Sequence, residues 1–296
     1  MRVTQSMLST NMLRNLSNSY NKMATLQEQI NSGKKITRPS QDPVVAIKGI
    51  GYRTDLNKVE QYQRNLGEVN NWLDSSDDAL DKVGSALKRV QELVTDAAND
   101  TKTPEDREKI KVEITQLKAQ IRDLANTKVG DKYIFSGTKT LSPLYDNNGN
   151  LLGETGVDGS VNIEVYDGVE IKVNTNGKTM FEDIDKMMEN IESVLDSSKT
   201  PVATGPEIAK YLEDISGNQD TVLAARADIG ARQNRVEMME DRLGAQEIIV
   251  TKQLSSNEDI DYEKAITEMI TQESIHRAAL SVGARIIQPT LTDFLR

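Results

Sequence analysis

Residues 31–45 read NSGKKITRPSQDPVV, and the organisation of the whole chain follows from this stretch. Gly33 stands where a helix stops, because glycine enters the left-handed conformation past a helix C-terminus without steric cost. Asp42-Pro43 reads as the start of another helix. Aspartate accepts the free N–H groups at an N-cap, and proline at the first helical position forfeits no hydrogen bond. Between these signals Lys34, Lys35 and Arg38 are expected to be exposed, and Pro39 forbids a continuous helix. A short basic connector thus joins a first helix of roughly thirty residues to a much longer second one.

Outward from the connector, residues 1–32 carry Leu13, Leu16, Tyr20, Met23 and Ile30 at alternating steps of three and four, with Gln27 filling the missing position. That is a thin coiled-coil stripe, and a lone helix bearing it is marginal in water. The helix beyond Pro43 is written more strongly. Val59, Tyr62, Leu66, Val69, Leu73, Leu80, Val83, Leu87, Val90, Val94 and Ala97 keep the same rhythm, broken only by Ser76. Ending near Asn99, it would be about 80 Å long and would need companions along its length. Thr103-Pro104-Glu105-Asp106 starts one companion, striped by Ile110, Ile114, Leu117, Ile121 and Leu124. Val222, Ile229, Val236, Met239, Leu243 and Val250 mark another, interrupted by Arg232 and Gln246, and residues 181–195 a shorter one.

The period changes in the middle of the chain. Residues 132–135 followed by Ser136-Gly137 read as a short strand and turn. Residues 161–165 and 169–173 alternate apolar and polar around Asp167-Gly168, a favoured hairpin turn. The last segment mirrors the first: Ile266, Met269, Ile270, Ile275, Ala279, Val282 and Ile286 recur at helical spacing before Pro289, with Leu291, Phe294 and Leu295 beyond. Residues 1–42 hold six basic and two acidic groups, whereas residues 255–296 hold four and seven. Opposite signs on two thin-striped helices favour pairing with each other or with neighbouring copies.

The expected fold is therefore mainly α: a rod-like antiparallel long-helix bundle, with N- and C-terminal coiled-coil pairing and a small β insertion at its distal end. Residues 1–42 and 256–296 form a terminal coiled-coil domain, 43–140 and 180–255 a helical body, and 141–179 the β domain.

Composition narrows the function. The net charge of −10 opposes nucleic acid as a partner, and an absence of cysteine removes disulfides and thiol–metal sites. No apolar run is long enough to span a bilayer, and the opening residues lack the pattern of a cleaved signal. His276 is the only histidine, and one imidazole without partners makes neither a metal site nor an activated nucleophile. Residues 146–150, DNNGN, fit a hairpin turn better than a calcium loop, whose glycine and terminal glutamate are out of place. The acidic pairs Asp77-Asp78 and Glu258-Asp259 read as solvated faces or helix starts. No catalytic, metal or cofactor site is expected.

Four stretches then carry a resemblance: the opening MRVTQSMLS, the connector SGKKITRPSQDPVVA, LANTKVGDKYIFSGTKT at 124–140, and the closing IIQPTLTDFLR. Together they resemble the flagellin superfamily. Within it they are most similar to the hook-associated protein 3 family of the hook–filament junction. Residues 39–43, PSQDP, are similar to that family's Pro-Ser-Asp-Asp-Pro connector, with Gln41 departing from it, and 133–137, YIFSG, matches its Tyr-Ile-Phe-Ala/Ser-Gly block. The resemblance implies a structural adaptor, not an enzyme, joining the hook through hook-associated protein 1 to flagellin by ring-like self-assembly. It further implies type III export without a cleaved signal, an export chaperone, an extracellular site in the flagellum, and contacts through the terminal helices and the connector. The alternatives are a short flagellin and a soluble coiled-coil scaffold.

Overall fold

The computed structural model describes residues 5–99, 101–146, 149–152, 156, 158–196 and 204–286. Seven helices and two hairpins occur among them: α1 (Gln5–Ser32), α2 (Pro43–Ala97), α3 (Pro104–Ala125), β1 (Lys128–Val129), β2 (Lys132–Tyr133), β3 (Asn162–Tyr166), β4 (Val169–Lys172), α4 (Lys178–Val194), α5 (Gly205–Ala209), α6 (Tyr211–Glu258) and α7 (Tyr262–Ile286). The chain is mainly helical, with two small antiparallel sheets. It divides into two compact units, residues 1–58 with 246–296 and residues 59–245. The terminal domain expected from sequence spans residues 1–42 and 256–296. In the structure this unit also takes in the head of α2 and the tail of α6.

The larger unit holds the main core. Every striped position of α2 from Val59 to Ala97 is buried except Tyr62, which packs against the core in part. Ser76 is buried too, and its hydroxyl donates to the Trp72 carbonyl at 2.7 Å, so the polar interruption is satisfied within the helix. Thr103 caps α3 by accepting from the Asp106 N–H. On α6, Ile215, Val222, Ile229, Val236 and Leu243 are buried, one residue every seventh position. Between them Ala225 and Met239 also pack on the core, and polar residues beside these positions tie α6 to α2 antiparallel. Gln219 donates to Gln91 at 3.2 Å, Arg226 to Asp77 at 2.8 Å and Asp81 at 2.6 Å, and Gln233 to Asp74 at 2.8 Å. This polar ladder is why the α6 stripe reads as irregular.

The YIFSG block begins at Tyr133, the last residue of β2, and plugs this core. Ile134 and Phe135 are fully buried, and Phe135 meets Phe181 of α4 edge-on at 5.1 Å. Asn126 closes the same end: its carbonyl oxygen accepts from the Leu144 and Tyr145 N–H groups, and its amide donates to the Tyr145 carbonyl. Tyr145 donates its hydroxyl to the Phe181 carbonyl, and burial pushes that phenol well above its usual range. The β3–β4 hairpin turns at Asp167-Gly168 as expected, with Gly168 at φ +71°. The first strand lies one residue later than expected and the second ends one residue earlier, with a bulge between Glu164 and Tyr166. Asp146 accepts from the Asn150 N–H at 2.7 Å, and Gly149 takes φ +77°, consistent with a turn; residues 147 and 148 lie outside the described set.

Candidate assembly interface

The smaller unit is built around the connector. α1 ends as its glycine requires: the Gly33 N–H donates to the Gln29 carbonyl at 2.9 Å, and Gly33 sits at φ +71°. The Asp42 carboxylate accepts from the Val44 and Val45 N–H groups at 3.0 and 3.1 Å, capping α2. Between the caps, the Gln41 carbonyl oxygen accepts from the Thr37 N–H at 2.8 Å and the Arg38 N–H at 3.2 Å. The residue that departs from the family connector thus closes this turn. Pro39 and Arg38 are exposed.

From there the connector is latched to the turn between α6 and α7. The Lys35 N–H donates to the Glu258 carbonyl at 2.6 Å, and the Ile260 N–H donates to the Gly33 carbonyl at 3.0 Å. Lys34 reaches Asp259 at 2.6 Å, and the Lys35 ammonium donates to the Ser256 carbonyl at 2.7 Å. The Lys34 ammonium first, and Ser255 second, hold the Asp259 carboxyl below the ordinary carboxylate range. Opposite charges from the two ends of the chain therefore meet at this latch.

Glu258 is the centre of the latch and corrects the sequence reading, which took Glu258-Asp259 for a solvated or capping pair. Only 5% of Glu258 is exposed, and its carboxylate meets Arg53 at 2.6 Å and Lys34 at 3.8 Å. Space for it exists because residue 49 is glycine: a Cβ there would lie 2.1 Å from the Glu258 carboxylate. Gly49 and Arg53 carry no expectation from the sequence. The available signal was a glycine inside a long helix, a costly choice that points to a close approach.

α1 and α7 pair antiparallel, and their seam explains the unequal stripes. On α1 it runs through Met12, Leu16, Ser19, Met23, Leu26 and Ile30. Three of these, Leu16, Met23 and Ile30, belong to the stripe read from sequence. Leu13 and Tyr20, which alternate with them in that reading, are 58% and 62% exposed. On α7 the seam runs through Ala265, Met269, Gln272, His276, Ala279 and Gly283. Gln272 donates to the Ser19 hydroxyl at 3.0 Å, a Cβ on Gly283 would collide with Met12, and the His276 ring stands 6.3 Å from that of Tyr20. The seam thus uses small and polar residues, while Ile266, Ile270, Ile275 and Val282 remain about half exposed on its flanks. The Ile286 side chain and Leu291, Phe294 and Leu295 lie outside what the structure describes.

The pair thus places serine, glutamine and glycine between its helices and leaves isoleucines exposed to water. Among the described residues no group of three or more acids, histidines or cysteines is placed to hold a metal, and no helix is long and apolar enough to cross a membrane.

Comparison with known proteins agrees with this geometry. The model of the bacterial flagellin N-terminal helical region matches residues 3–140, and that of the C-terminal helical region matches residues 212–295. Flagellar hook-associated protein 3 of Escherichia coli K12 is 28% identical over 298 residues, covering 93% of each chain. Flagellin of Bacillus subtilis 168 is 26% identical over 97% of each. Among solved structures, flagellar hook-associated protein 3 from Legionella pneumophila superposes with a TM-score of 0.62 at 16% identity, over 69% of this chain and 97% of its own. That likeness is one of fold.

Proposed function

The chain belongs to the flagellin family, and from that membership we propose that it is the structural adaptor of the bacterial flagellum at the hook–filament junction. It forms a ring between hook-associated protein 1 on the hook side and flagellin beyond. The observation that carries this is the α1–α7 pair, with its polar seam and exposed isoleucine flanks set beside a capped, salt-bridged connector. The YIFSG core plug and the proline-flanked connector favour the junction role over a filament role. We further propose that Leu13, Tyr20, Ile266, Ile270, Ile275 and Val282 contact neighbouring subunits, and that Leu16, Met23, Met269 and Ala279 hold the pair together. Leu291, Phe294, Leu295 and the Ile286 side chain are proposed to extend the same interface.

In this mechanism the terminal helices gain apolar partners only in the polymer, and the buried flanks offset the entropy of ordering them. A weak intramolecular pair also suits passage of an unfolded chain through the type III apparatus with a chaperone holding its ends. No chemical step or cofactor is required. The test is co-sedimentation of the full chain with hooks that end in hook-associated protein 1. Saturable binding limited to hook ends is expected, followed by flagellin growth from them; binding along the hook, or none, would contradict the proposal.

A further inference from the structure

The head of α2 and the tail of α6 form a second two-helix layer inside the smaller unit, next to the connector. They are joined by the Arg53–Glu258 pair and by the Asn257 amide, which donates to the Val45 carbonyl at 2.9 Å. Val59, Val250 and Glu258 are buried and Gly49 faces Glu258, so these positions mark the inner side. At 3.6 residues per turn, Ile47 lies on the side of α2 opposite Gly49, flanked by Val44 and Ile50. Ile248 lies likewise on the side of α6 opposite Val250, with Ile249 at its edge. All five are large and exposed: Val44 61%, Ile47 71%, Ile50 61%, Ile248 71% and Ile249 55%. One thin layer therefore carries an apolar patch on each of its two helices, left exposed by the described residues of the unit.

We infer that these patches bind each other between copies: the Val44/Ile47/Ile50 face of one subunit packs on the Ile248/Ile249 face of the next. This rests on the junction reading and specifies the contact within the ring. Two different patches on opposite faces make a heterologous contact, which generates closed rings or open helices rather than two-fold dimers. Area supports a second copy acting only within an assembly. Burying such a side chain removes about 60–120 Å² of apolar surface, so five half-exposed residues offer roughly 300 Å² between them. A stable pairwise interface needs about 800 Å² per partner. The contact is too small to hold a dimer in solution, and it holds a ring only together with the flanks of α1 and α7.

The chain has no cysteine, which makes the test direct. The full chain carrying both Ile47→Cys and Ile248→Cys is bound to hooks ending in hook-associated protein 1 and mildly oxidised. A ladder of disulfide-linked dimers, trimers and larger species is expected. Equal mixtures of the two single variants should stop at dimers, and either single variant alone should give none. The two cysteines sit on opposite faces of one chain and do not meet internally. Dimers from one single variant alone would show a two-fold contact and overturn the inference. Hook-end binding without a ladder would overturn it and leave the junction reading standing, and failure to bind hook ends would overturn both.

Discussion

At residue 49 two effects compete, and their magnitudes set the outcome. Replacing a helical glycine by alanine gains about 0.8–1.0 kcal/mol. At this site, however, the new methyl would sit 2.1 Å from the Glu258 carboxylate and push it off Arg53. Hydrogen bonds to charged groups are worth about 1.5–3 kcal/mol, so Gly49→Ala should destabilise the latch by about 1 kcal/mol. Gly51 is the internal control, because nothing lies within 4 Å of its missing Cβ. Gly51→Ala should stabilise by about 0.5–1 kcal/mol. Hydrogen exchange at the Lys35 and Ile260 amides, both donors in the latch, reads the two changes in opposite directions.

Asp259 gives the same site a pH dependence. Its folded carboxyl is held below the ordinary range, chiefly by the hydrogen bond from Lys34. A depressed value means that the contribution is complete above the unfolded value of about 3.9 and is lost as pH falls through the folded one. Protection of the Lys35 amide should therefore weaken below about pH 4, and Asp259→Asn should flatten that dependence. Added salt should weaken the pair as well, since both side chains are partly exposed. Gly33 and Asp42 could be read from sequence because a cap depends on its near neighbours. The Gly49–Glu258 contact could not, because it joins opposite ends of the chain.

Among the elements, α1 shows why a seam is harder to read than a helix. The series Leu13, Leu16, Tyr20, Met23 and the series Met12, Leu16, Ser19, Met23 both step by three and four, and hydrophobicity favours the first. The structure uses the second, because Ser19 meets Gln272 and Met12 occupies the space left by Gly283. The pair closes on small and complementary side chains, a property of two helices at once. The same limit hid the α6 ladder, whose polar rungs make sense only against Asp74, Asp77 and Gln91 of α2. The stripe of α2, by contrast, faces a thick core and was legible almost residue by residue.

The two series predict different phenotypes. Leu13→Ser and Ile270→Ser remove exposed side chains and should shift monomer stability by less than about 0.5 kcal/mol while weakening hook-end binding. Leu16→Ala and Met23→Ala act in the seam and should loosen the α1–α7 pair, read as lost helical signal and faster proteolysis of the terminal segments. Urea unfolding and hook co-sedimentation on the same variants separate the two outcomes. In the larger unit, Phe135→Ala removes a fully buried ring from the YIFSG plug and should cost about 3–5 kcal/mol. That loss should leave the latch amides protected, because they belong to the other unit.

Over the whole molecule, fold class and element order followed from periodicity and punctuation, and the junction role from motifs that periodicity cannot supply. In the proposed ring, neighbouring subunits cover the large apolar residues that stay exposed among the described residues. The junction role is tested most directly by electron microscopy of the full chain alone and with hooks ending in hook-associated protein 1. A junction subunit should give no extended polymer alone, and hook ends should gain one further ring and then support flagellin growth. Long smooth filaments from the chain alone would contradict it and identify a filament subunit instead.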